Sequence, residues 1–233
     1  MANWRVSLDG DRFDLEELPA LFAEPSLRVQ QEGESFFLES TALASLEDAP
    51  AVRRAAEDLV SAMNGAARLI FPNFRPVNLG SAVTRTDQGQ ALSIFLASGG
   101  LEIRGKASTA LLVDGRPAPP SPSPAAPWAR TAQRDSAALR VFRFLGKPSV
   151  DWNDLYRVHE ILQANEGSTA LTVAGISGGE VDRFTQTANS WRALGDDARH
   201  AKDTVPAPAT PMTLDEARSM IHAWVRAWLD IRK

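Results

Sequence analysis

The fifteen residues 187–201, TANSWRALGDDARHA, hold one asparagine, two arginines, two aspartates and one of the three histidines in the chain. His200 is a side chain that gives and takes protons near neutral pH. Arg199 beside it, and Arg192 a few residues earlier, supply the fixed positive charge that a phosphate or a developing oxyanion requires. Asn189 and Asp196 add hydrogen-bonding groups for a bound ligand. The same residues also suit a plain connection, with Asp196 capping a helical turn and Arg199 pairing with an acidic neighbour. A polar loop of this length must satisfy its polar groups somewhere, and loops are where function concentrates. Catalysis is therefore expected at His200, Arg199 and Arg192 if anywhere, with ligand contacts from Asn189 and Asp196.

Two further sets deserve the same weighing. Trp152, Tyr156 and His159 follow one another at helical spacing, a stripe that stacks a ring or serves as an interhelical contact. Arg218, His222 and Arg226 share a face of the last helix, opposite a tryptophan stripe. That ridge suits phosphate, although a solvated polar face is its expected state. The stretch GISGGE precedes a helix and has the look of an anion-holding loop, but Ser177 and Glu180 have the spacing of a capping box.

Several chemistries are excluded. There is no GxxxxGK[ST] or HExxH sequence, and no cysteine. None of His159, His200 and His222 is paired with another at i, i+3 or i, i+4, so no metal and no cofactor are expected. The formal charge of −4 argues against a polybasic coat for nucleic acid or membrane, leaving local basic surfaces open. No secretory signal and no long apolar run is visible, so a cytoplasmic, non-membrane protein is expected.

The elements that would position these residues divide into two. The segment RPAPPSPSPAAPW, residues 116–128, holds six prolines and no acidic residue, and reads as a stiff, extended linker over 117–128. Residues 1–116 carry 11 basic against 16 acidic residues, and 117–233 carry 14 against 13. The first part, 1–116, reads as an α+β domain. NWRVSLDG is a strand, and LRVQQEGESFFLES is a hairpin turning at Glu32-Gly33. One helix over DAPAVRRAAEDLVSAMNG is capped by Asp48 and ended by Gly65. An antiparallel meander follows through VNLGSAVTRT, ALSIFLAS, LEIRGKAS and TALLVDG. The second part, 129–233, reads as an all-α bundle of about four helices. These run over TAQRDSAALRVFRFLG, DWNDLYRVHEILQANEG, SGGEVDRFTQTAN and the segment opened by Thr213 and Glu216. In the last, Leu214, Ala217, Ile221, Trp224 and Trp228 form a buried stripe.

The pattern LYRVHEIL, RFTQTANS, GDDARHA and MTLDEARSMIHAWVRAWL over 155–229, with FFLES and LVSAMNGAARL earlier, resembles a group of uncharacterised two-domain bacterial proteins. The second half is also similar to HEPN domains, helical modules of bacterial defence and toxin–antitoxin systems. Many of these cut RNA or bind nucleotides. Asn189, Arg192 and His200 ahead of a terminal helix echo that family's order. The chain departs from it in placing seven residues between Arg192 and His200, and Arg199 directly before His200. The resemblance implies a metal-independent ribonuclease with His200 as the proton-transfer group and Arg192 or Arg199 stabilising phosphate. The leading expectation is a two-domain interaction or sensor protein, linked to defence or stress, with a protein partner or a second copy. Nucleic acid is admitted as a partner of the helical half, and a structural subunit of an oligomer is a third alternative.

Overall fold

Trp4–Asp9 (β1) alternates buried and half-exposed residues, which gives one face of a strand to a core and one to its rim. In the computed structural model β1 lies inside a six-stranded antiparallel sheet of order β2-β3-β4-β1-β5-β6. The other strands are Ala23–Glu24 (β2), Leu27–Glu32 (β3), Ser35–Glu39 (β4), Asn78–Arg85 (β5) and Ala91–Ile94 (β6). The structure describes residues 4–85, 91–94, 112–113, 116–117, 123–165, 167–200 and 204–232. The expected strand over LEIRGKAS and the middle of the proline-rich segment lie outside them. Leu112–Val113 (β7) and Arg116–Pro117 (β8) form a separate ribbon. The fold is α+β, an antiparallel sheet followed by a helical region, as expected.

The chain divides into two compact units, Met1–Val60 with Arg75–Ala126, and Ser61–Phe74 with Pro127–Lys233. In the first, the hairpin β3–β4 turns where expected, with Gly33 at φ 61°. Val6, Leu8, Val29, Phe36 and Leu38 form the buried face of the sheet. A helix not anticipated, Arg12–Leu21 (α1), packs on β3. Asp11 caps it by accepting from the Phe13 amide, and Leu15, Leu18 and Leu21 are its buried stripe. Its signal was an aspartate cap ahead of a leucine stripe, obscured by Pro19 inside the helix.

The helix expected over 48–65 begins as predicted, with Asp48 Oδ1 accepting from the Ala51 amide at 2.7 Å. It does not stop at Gly65 but runs from Ala49 to Ile70 (α2). Gly65 is there for space. A Cβ on it would sit 2.5 Å from Phe142 Cδ1 and 2.7 Å from Phe142 Cα, so the helix carrying Phe142 passes almost backbone to backbone.

In the second unit the helix expected over 131–146 is two. Ala125–Ala132 (α3) starts inside the proline-rich stretch, and Ser136–Leu145 (α4) restarts on the cap of Asp135. Trp152–Ala164 (α5), Gly178–Asn189 (α7) and Leu214–Ile231 (α9) match expectation, and both capping boxes are formed. Gly167–Ala174 (α6) and the single turn Trp191–Leu194 (α8) were not anticipated. The last helix, α9, packs on α5 and α6 and is buried well beyond one stripe. Met220, His222, Val225 and Leu229 join Ala217, Ile221, Trp224 and Trp228 in the interior. Among the described residues no helix is long and apolar enough to cross a membrane.

Gly65→Ala tests the close passage of α2 and α4. Alanine is intrinsically about 1 kcal/mol better than glycine inside a helix, whereas overpacking a filled interface costs about 1–3 kcal/mol. The urea midpoint of the variant is expected to fall. A midpoint that holds or rises would show that the helices part without cost.

Candidate functional site

The segment 187–200 closes on itself. Asn189 ends α7, α8 makes a single turn, and Gly195 takes a positive φ of 59° that frees the chain to reverse. The Arg199 amide then donates back to Ala188 O at 2.9 Å. The Arg199 guanidinium lies 4.2 Å from the centroid of Tyr156 and donates to Glu160 Oε1 at 3.0 Å. It is thus sandwiched between a ring and a carboxylate on α5. His200 is exposed, with Nε2 3.4 Å from Arg199 Nη1. Arg192 is exposed on α8, and Asp196 is exposed within a 3-10 turn that no side chain caps. The capping role considered for Asp196 is therefore not realised. Asn189 Nδ2 donates to Thr185 O at 2.8 Å, and its buried Oδ1 has no partner among the described residues.

The Trp152–Tyr156–His159 stripe faces inward. Trp152 stacks on Phe184 at 6.0 Å between centroids. His159 sits among Tyr156, Phe184 and Trp224 at 5.2, 5.6 and 5.7 Å. It is only 3% exposed, and neither ring nitrogen has a partner among the described residues. Burial holds its pKa below the ordinary imidazole value, with Glu160 raising it and Arg199 lowering it. Phe184 and Trp224, from α7 and α9, supply the walls that turn a helical stripe into an interior cluster.

The Arg218–His222–Arg226 ridge is the larger correction. It is not a solvated face, because the opposite side of α9 is walled as well. His222 is 6% exposed and opens onto a cavity of about 470 Å³ within the helical unit. Arg218 and Arg226 flank it from α9, and Arg68 reaches it from α2. Each guanidinium is held by a neutral backbone oxygen. Arg68 donates to Phe74 O at 2.9 Å through Nη2, and to Leu145 O and Lys147 O at the end of α4 at 2.8 and 2.5 Å. These satisfy carbonyls that a helix terminus leaves open. Arg218 donates to Val150 O at 2.8 Å, and Arg226 to Leu69 O at 3.0 Å. Among the described residues the one carboxylate on the cavity wall is Asp215, 3.1 Å from Arg218 and 91% exposed. Water screens it heavily.

Among the described residues nothing bonds to the His222 ring. Burial, then the charges of Arg226, Arg68 and Arg218, lower its pKa to about 4, so the imidazole is neutral at physiological pH. A neutral ring offers one donor and one acceptor nitrogen. The cavity therefore brings three guanidiniums, that of Arg226 bonded to a carbonyl, beside one bifunctional hydrogen-bonding group. This is the arrangement of an anion site, and ligand cavities have volumes of this order.

No family model, curated protein or solved structure matches the chain. The chemistry of the site rests on its own geometry.

His222 also marks the protein's pH response. An unfolded imidazole titrates near 6.5, whereas the folded one titrates at about 4. Between these values the unfolded chain binds a proton that the folded chain refuses, so stability falls as pH drops from about 6.5 towards 4. The full loss is on the order of 3 kcal/mol. His159 acts in the same direction. His222→Gln is expected to flatten the slope of unfolding free energy against pH in that window, measured by urea titration. An unaltered slope would remove His222 as its source.

Proposed function

We propose that the protein is a ligand-binding sensor or interaction protein whose helical unit takes a small anion in the cavity beside α9. The observation that carries this reading is Arg226, bonded to the Leu69 carbonyl, on the wall of one cavity with a buried His222 whose ring has no partner among the described residues. A guanidinium bonded to a carboxylate has spent its charge, but one bonded to a carbonyl keeps it. Arg199, in contact with Glu160, belongs to the first kind, and Arg226 to the second.

A pyrophosphate titration followed by thermal denaturation tests this, with sodium chloride controls matched in ionic strength. Millimolar pyrophosphate is expected to raise the melting temperature of the wild type by several degrees and that of Arg226→Ala by far less. Equal shifts in both proteins would place the effect elsewhere.

A metal-independent ribonuclease of HEPN type, centred on His200, is the second reading. It is favoured by the approach of Arg199 to the His200 ring. Against it, the Arg199 guanidinium is already shared between Tyr156 and Glu160. Incubated with total RNA, wild type and His200→Ala are expected to leave it equally intact. Degradation by the wild type that is lost in His200→Ala would reverse the order of the two readings.

A further inference from the structure

Resting on that reading, we propose that the cavity takes a small 2-hydroxy carboxylic acid. Its carboxylate lies on the guanidinium of Arg226, and its hydroxyl meets the His222 ring.

The donors left open on the cavity wall decide the charged group. Arg68 spends Nε, Nη1 and Nη2 on the carbonyls of Phe74, Leu145 and Lys147. Arg218 directs Nη1 to Asp215 at 3.1 Å and Nη2 to the Val150 carbonyl at 2.8 Å. Arg226 uses Nη1 on the Leu69 carbonyl at 3.0 Å, and its Nε and Nη2 carry no bond among the described residues. That Nε–Nη2 edge is a fork for two coplanar oxygens. A carboxylate presents two such oxygens and one charge. A phosphate adds a third oxygen and a second charge, while Arg68 and Arg218 are already committed elsewhere.

His222 sets the second condition. It is 6% exposed, lines the same cavity one helical turn before Arg226, and has no partner for its ring among the described residues. At pH 8 even an imidazole of ordinary pKa, near 6.5, is uncharged. The ring then presents one N–H and one bare nitrogen. A carboxylate oxygen accepts from the N–H but has nothing to give the bare nitrogen. A hydroxyl donates to it. Side chains four positions apart on a helix leave about 5–6 Å between their Cβ atoms. A ligand that spans the Arg226 fork and the ring therefore carries its hydroxyl close to the carboxylate, on the neighbouring carbon. The volume of about 470 Å³ leaves room for the rest of the acid, and Asn73, Ser149 and Ser219 offer it neutral hydrogen-bonding groups.

Isothermal titration calorimetry of the full chain at pH 8 tests the assignment with lactate, propionate, methyl lactate and inorganic phosphate as probes, at matched ionic strength. Lactate is expected to bind about fivefold more tightly than propionate, the worth of one hydrogen bond, and more tightly than inorganic phosphate. Methyl lactate, which lacks the charge, is expected not to bind. Arg226→Lys keeps the charge but loses the fork, and weakens lactate and propionate alike by about tenfold. His222→Leu keeps the bulk of a buried side chain and lowers lactate to the level of propionate. The ranking of the four probes on the wild type needs no variant, so it decides the matter even if a variant does not fold. Propionate as tight as lactate overturns the hydroxyl contact, and inorganic phosphate tighter than lactate, or binding of methyl lactate, overturns the carboxylate. Lactate binding that Arg226→Lys leaves unchanged overturns the placement. No binding of lactate overturns the ligand class while the anion cavity stands on its pyrophosphate shift, and an absent pyrophosphate shift as well removes the cavity's function altogether.

Discussion

Everything around the candidate site follows from the burial of α9 on nearly every side. A helix with one apolar stripe sends its opposite face to water, and charges there need no partners. Here Trp224 and Trp228 are buried on one side and His222 on the other, so charges on the second side must find acceptors. Arg218 and Arg226 find them in the carbonyls of Val150 and Leu69. Those carbonyls belong to a turn and to a helix end, where the backbone leaves oxygens without partners. The arginines thus satisfy groups that would otherwise be stranded, and the helix is fixed by its polar side as well as by its rings.

The same economy governs Arg68. It is buried, it comes from α2, and it bonds oxygens at the end of α4 and at Phe74. Gly65 permits this, since the near contact of α2 with Phe142 brings the end of α4 within reach of a side chain one turn further along. The bonds of Arg68 to these carbonyls tie it structurally. Three guanidiniums around one cavity create a positive field that no single contact announces. Burial first, and that field after it, keep the His222 imidazole neutral.

Much of the architecture was legible because it depends on local pattern. The two capping boxes, the hairpin at Gly33, the sheet followed by helices and the Trp stripe of α9 are all read from residues a few positions apart. What escaped depends on distance. Gly65 has the look of a helix stop, and only Phe142 explains why it is not one. α1 hid behind an internal proline. The Arg218–His222–Arg226 face was visible as spacing, but its burial was not, and Arg68 stands some 150 positions away with no periodicity to tie it to them. The polar cluster at 187–200 drew notice for its composition alone.

Composition misleads there for a definite reason. Arg199 and Arg226 are the same side chain, and both lie beside a histidine in space or in sequence. Arg199 meets the carboxylate of Glu160 and the face of Tyr156, so its charge is answered within the protein, and it braces the returning chain against α5. Among the described residues Arg226 meets only a carbonyl, so its charge is left for something else to answer. A loop rich in ionic residues can be electrostatically closed, while a largely buried helix holds the open charge. The partner of each guanidinium, rather than the number of ionic residues near it, decides which of the two can hold an anion.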